Sequence, residues 1–167
     1  MNISKKTSAG LAVQVEKKMH RIFVIDVSGS MYSVLPKIKN QLKNKIPQLT
    51  NIGDLVTAIY FSSRGQCGTL IHALEVNKVT DFIGMNTAID RYIKTIGCTG
   101  FCDPLREVKR VADEVKKTHP DYGSHMFFMT DGYDNEWSEN QILADVENLV
   151  GSVDSASFVE YGWDCIS

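Results

Sequence analysis

The chain has 167 residues, 43% hydrophobic and 23% charged with only 4 prolines, which points to one ordinary globular domain and excludes a disordered or fibrous chain. Its 18 Lys and Arg against 20 Asp and Glu leave a net charge of −2, so no overall positive field exists to hold nucleic acid or an anionic membrane. Apolar runs such as residues 126–129 are too short to cross a bilayer and residues 1–10 lack an apolar signal segment, which predicts a cytoplasmic protein.

Residues 1–20 alternate weakly at Leu11, Val13 and Val15 and are read as a lead-in or an extra edge strand, with the domain proper over 21–167. Residues 22–25 are apolar on both faces, as a central parallel strand must be, and run into the polar Asp26-Val27-Ser28-Gly29-Ser30. Leu35, Ile38, Leu42, Ile46 and Leu49 then recur at helical spacing, with Ser33 as the expected N-cap and Pro47 limiting the far end. A second buried strand is predicted over 55–61, followed by a turn at 62–65 and an antiparallel edge partner over 66–76.

Phe82, Met85, Ile89, Tyr92, Ile93 and Ile96 form the next apolar stripe, ahead of the irregular Gly97-Cys98-Thr99-Gly100-Phe101-Cys102. Asp103 before Pro104 predicts a helix start, with Leu105, Val108, Val111 and Val115 facing the core. Residues 125–129 read as a strand ending at Thr130-Asp131-Gly132. Ser138 and Gln141 have capping-box spacing ahead of a helix that Gly151 ends, and 156–161 is the last predicted strand. Strands alternating with amphipathic helices predict an α/β fold, a doubly wound and mostly parallel sheet with an antiparallel edge strand and helices on both faces.

Asp26 and Asp131 each follow an apolar strand directly, so a parallel sheet brings both carboxylates to the strands' carboxyl ends, where such sheets bind ligands. Ser28, Ser30 and Thr99 add hydroxyls, making a small all-oxygen set that suits a hard divalent cation: Mg2+, with Mn2+ or Ca2+ also accepting such ligands. Zinc prefers nitrogen or sulfur. Cys98 and Cys102 lack the second close Cys or His pair of a zinc set, and the 4 cysteines are read as free thiols. His20, His72, His119 and His125 are scattered and receive no role. Each piece of the set has an ordinary reading as a turn or a strand end; their combination is better explained by one ion.

At these residues the chain resembles the von Willebrand factor A family, whose metal-ion-dependent adhesion site is written Asp-x-Ser-x-Ser, then a distant Thr, then a distant Asp. Asp26-Val27-Ser28-Gly29-Ser30-Met31, Gly97-Cys98-Thr99 and Met129-Thr130-Asp131-Gly132 match in order. The resemblance spans residues 21–161 and implies a Rossmann-like sheet whose upper face binds a protein partner, with an Asp or Glu of that partner taking the cation's open position. It places Met31, Gly100, Phe101, Gly132 and Tyr133 on the partner-binding face; Trp137, close after Asp131, is read first as a packed aromatic and second as part of that face. One departure is expected: the family's sixth strand and final helix have no counterpart after Tyr161, which leaves Phe158 and Trp163 for a contact that completes the sheet.

The function expected is therefore a metal-dependent protein-interaction module and not an enzyme. A phosphatase of the aspartyl type needs a second Asp where Ser28 stands, and neither a Gly-x-Ser-x-Gly elbow nor a phosphate-cradling Gly-x4-Gly-Lys loop occurs. The alternative is a structural subunit of a larger assembly, or an ATPase-associated adaptor, using the fold without metal; a metal-dependent hydrolase ranks below both.

Overall fold

The computed structural model describes residues 16–132 and 134–161. Five strands, β1 (Met19–Asp26), β2 (Leu55–Phe61), β3 (Cys67–Glu75), β4 (Gly123–Thr130) and β5 (Ser155–Glu160), form one sheet in the order β3-β2-β1-β4-β5. β1 pairs in parallel with β2 and β4, and β4 with β5, while β3 runs antiparallel at the edge beyond β2. The helices are α1 (Leu35–Leu49), α2 (Asp81–Tyr92), α3 (Cys102–Thr118) and α4 (Glu139–Asn148). The predicted α/β class and antiparallel edge are thus observed.

β1 is central because it is apolar on both sides: Ile22, Phe23, Val24 and Ile25 have no exposed surface. Phe23 and Ile25 face Ile38 and Leu42 of α1 and Met85 and Ile89 of α2, whereas Ile22 and Val24 face Leu105, Val108 and Ala112 of α3. Strand order reverses between β1 and β4, the place where a doubly wound sheet opens a crevice at its carboxyl edge. Asp26 ends β1 and Asp131 follows β4 directly, so both stand beside that crevice.

Several boundaries differ from expectation, each for a local reason. β1 starts at Met19, ahead of the predicted position, because the Asp54 carboxylate accepts from the Met19 N–H at 2.9 Å and the Lys18 carbonyl accepts from Gly123 at 2.9 Å. Ser33 does not cap α1; a 3-10 turn, Gly29–Ser33, leads into it, and Val34 takes the cap position without a side-chain bond. Pro47 lies inside the last turn, where the N–H it lacks costs only one terminal hydrogen bond. Ile93 and Ile96 lie beyond α2, since the chain turns extended at Ile93 so that the Ile96 N–H reaches the Val27 carbonyl at 2.8 Å. Asp103 sits inside the first turn of α3 and accepts from the Gly65 N–H at 2.7 Å instead of capping. The Ser138/Gln141 capping box is formed as predicted. The readings made for Leu11, Val13, Val15 and Trp163 lie outside the described residues.

Two expected outcomes follow from this packing. Phe128 is 2% exposed, and its ring centroid lies 5.2 Å from Phe61 and 5.5 Å from Phe101. Phe128→Ala should therefore lower the unfolding free energy by about 3–5 kcal/mol in denaturant titration; a loss below about 1 kcal/mol would contradict the aromatic cluster. Second, His20 is buried, its Nε2 lies 2.8 Å from the Thr57 hydroxyl, and burial holds its pKa down to about 4, with the charges of His72 and His119 adding to the effect. The folded pKa is below the unfolded value of about 6.5, so the unfolded chain takes up the proton first as pH falls. Stability on the order of 3 kcal/mol, present above pH ~6.5, should be lost between there and pH ~4. The acid limb of the stability curve should be shallower in His20→Gln, and identical limbs would refute the assignment.

Candidate metal centre

Asp26 has no exposed surface. Its Oδ1 accepts from the Ser28 N–H at 2.8 Å and its Oδ2 from the Thr130 hydroxyl at 2.7 Å, bonds that fix the carboxylate across the β1–β4 crevice. Burial raises the Asp26 pKa; the Ser28 and Thr130 hydrogen bonds oppose this, and the Asp131 charge adds to it. Each carboxylate oxygen keeps a lone-pair direction beyond the bond described. The Ser28 and Ser30 hydroxyls are 3.1 Å apart on the same loop, Ser28 buried and Ser30 exposed.

Thr99 is 2% exposed on the loop before α3, and that loop is tied to the first. The Gly29 N–H donates to the Gly97 carbonyl at 2.9 Å and the Ile96 N–H to the Val27 carbonyl at 2.8 Å. Gly97 has φ +66°, and a Cβ there would strike the Ser63 hydroxyl, so glycine is required at this turn. The third loop joins through the Asn135 N–H, which donates to the Thr99 carbonyl at 3.0 Å, and through the Asp134 carboxylate, which accepts from the Phe101 N–H at 2.6 Å. These bonds hold together the three segments that carry Asp26, Thr99 and Asp131.

Of the predicted partner face, the Met31 side chain is fully buried and packs in the core beside α1. It is the buried residue of the 3-10 turn Gly29–Ser33. Phe101 is half-buried, edge-on to Phe61 at 5.9 Å and to Phe128 at 5.5 Å, and so works chiefly as the anchor of the Thr99 loop. Gly100 is buried, where a Cβ would come 3.0 Å from Glu136 Oε2 and 3.1 Å from Trp137 Nε1. Gly132 is exposed, and Tyr133 lies outside the described residues.

Sequence reasoning missed Thr130 and Asp134. Both lie within three residues of Asp131, and their hydroxyl and carboxylate were open to the same reading as the donors already chosen. It also missed the clamp around Trp137, whose ring has the Arg64 guanidinium 3.8 Å and the Arg106 guanidinium 4.9 Å from its centroid. Arg64 further donates through Nη2 to the Glu136 carbonyl at 2.9 Å, and its backbone N–H donates to the Glu136 carboxylate.

The residues present fit a hard cation. Asp131 Oδ1 is buried and has no hydrogen-bond partner, an orphaned carboxylate oxygen beside a second, fully buried carboxylate. Buried polar atoms are rarely left unpaired, and a water molecule or an ion satisfies such an atom. Among the described residues no group of three His, Cys, Asp or Glu is placed to hold a metal, so a site here has to draw on hydroxyls. Burial lifts the Cys102 thiol to about 12.

No family model matches the chain and no curated protein matches it. Solved structures do. A von Willebrand factor type A protein from Catenulispora acidiphila superposes with a TM-score of 0.70 at 18% identity, over 88% of this chain and 34% of that one. Manganese-loaded TRAP protein of Plasmodium vivax gives 0.68 at 18% identity, over 87% of this chain and 59% of that one. Proximal thread matrix protein 1 from the mussel byssus, with a zinc-occupied adhesion-site motif, gives 0.69 at 16% identity, over 87% of this chain and 39% of that one. The chain thus spans between 34% and 59% of the length of these structures. No helix among the described residues is long and apolar enough to cross a membrane. With a mostly parallel five-stranded sheet, one antiparallel edge and helices on both faces, the chain has the fold of the von Willebrand factor A domains.

Proposed function

We propose that this chain is a metal-dependent protein-interaction module in which Asp26, Ser28, Ser30, Thr99 and Asp131 hold a divalent cation, Mg2+ first and Mn2+ or Ca2+ as alternatives. The observation that carries the reading is the orphaned Asp131 Oδ1 beside the buried Asp26 carboxylate at the strand-order reversal. The metal-loaded neighbours lend support, since TRAP holds manganese and the byssus protein holds zinc in this fold. A cation bound here supplies a coordination position that a carboxylate from a partner can fill.

The chain's own residues do the rest. Ser28 and Thr130 orient Asp26 by donating to its two oxygens, and the Asp134 carboxylate holds the Phe101 amide so that Thr99 stays in place. Two carboxylates balance the charge of a divalent ion, so an incoming Asp or Glu is not repelled by an anionic site. The role proposed is that of a binder and not a catalyst.

A second reading, a structural subunit that uses the fold without metal, draws on the apolar surface next to β5, where Val150 is 83% and Phe158 63% exposed. Thermal unfolding separates the two. With magnesium or manganese at about one hundred times its Kd, the folded state gains about 2.7 kcal/mol, about 5–10 °C for a domain of this size. The rise is expected in wild type and absent in Asp26→Ala and Thr99→Ala; no rise in wild type would move the weight to the structural reading.

A further inference from the structure

Beside the candidate metal centre lies a cavity of about 350 Å³ between the start of α1 and the segment after α2. Its apolar lining is Leu35, Pro36 and Ile93, and its polar lining includes Tyr32, Lys39 and Lys94. Leu35 is 6% exposed and Ile93 fully buried, so the floor is part of the core, whereas Tyr32 is 75% exposed, a large aromatic left open at the mouth.

The charge around this cavity has one sign. No carboxylate lines it, and α1 carries Lys37, Lys39, Lys43 and Lys45 without any acidic residue. The neighbouring Asp90 carboxylate is taken by Lys43 at 2.9 and 3.1 Å, while Lys39 reaches only the Asp90 backbone carbonyl at 3.2 Å. Among the described residues neither Lys39 nor Lys94 is paired with a carboxylate.

The cavity is also short of chain from the metal donors. Tyr32 lies two residues after Ser30, and Thr95, on the cavity wall, two before Gly97, whose carbonyl holds the Asp26 loop. Two residues span at most about 7 Å. In an extended partner segment, residues i and i+2 point the same way about 6–7 Å apart. A carboxylate at i entering the metal centre therefore sets the side chain at i+2 over the cavity.

We propose that this cavity selects the partner: an extended acidic segment whose metal-binding carboxylate is followed at i+2 by an apolar side chain, seated on Leu35, Pro36 and Ile93, and then by a second carboxylate facing Lys39 and Lys94. The inference rests on the metal-dependent reading above. The long lysine stems let their ammonium groups follow that second carboxylate over the rim.

The test is a chemical-shift titration of the full chain in saturating magnesium with two capped hexapeptides. One carries a single aspartate among glycines; the other has the same aspartate followed at i+2 by leucine and at i+4 by glutamate, the next side chain on the same face. The second is expected to bind about tenfold tighter, to shift the amides of Tyr32, Ile93 and Lys94, and to lose its advantage in a Lys39→Glu/Lys94→Glu variant that keeps its magnesium-dependent thermal rise. Equal affinity for both peptides, no binding of either with the thermal rise intact, or an advantage that survives the double variant or chelator would each overturn the proposal. Absence of the magnesium-dependent rise in wild type marks instead a failure of the metal reading itself.

Discussion

A carboxylate without exposed surface, at the end of the central strand and beside a second carboxylate on the adjoining loop, is the constraint around which the upper edge of this molecule is arranged. Leaving an ionised carboxylate in a poorly solvated place costs several kcal/mol. Asp26 recovers part of that through two hydrogen bonds, from Ser28 and Thr130, each contributing about 1.5–3 kcal/mol when the acceptor is charged. Burial is the main reason the Asp26 pKa is raised, and the Asp131 charge adds to it. The remaining imbalance has the sign that a bound cation removes, which is why the electrostatics and the orphaned Asp131 oxygen support the same reading.

Such a site depends on three loops that share no element, and the supports differ in kind. The Asp26 loop is continuous with the most buried strand. The Thr99 loop is anchored from below by Phe101 against Phe61 and Phe128, and from the side by the Ser62–Gly65 turn, whose Ser62 carbonyl accepts from the Gly100 N–H at 2.8 Å. The Asp131 loop is held by Asp134, which accepts from Phe101, Glu136 and Trp137. Core packing and loop hydrogen bonding therefore meet at Phe101, and disturbance of the aromatic cluster should reach the hydroxyl of Thr99.

Much of this was legible in the sequence because the responsible signals are local. Apolar continuity in 22–25 and 55–61 marks strands buried on both faces, and Ser138 with Gln141 marks the start of α4. The positions of Asp26 and Asp131 at strand ends follow from the same pattern. What was not legible depends on contacts across the chain. Ile96 leaves the helical pattern to bond Val27, Asp103 turns from a cap into an acceptor for Gly65, and Met31 is drawn into the core by a 3-10 turn that no spacing announces. The Arg64–Trp137–Arg106 clamp brings together residues from three separate segments and has no sequence period at all.

The central claim is that one divalent cation sits among these five side chains. The most direct measurement is anomalous diffraction at the manganese edge from crystals grown with Mn2+. The account predicts a single strong peak within about 2.0–2.6 Å, the range of oxygen ligation to such hard cations, of the Ser28 and Ser30 hydroxyls, with Asp26, Thr99 and Asp131 around it directly or through water. A peak elsewhere on the surface, with the Asp131 carboxylate left unligated, would contradict it.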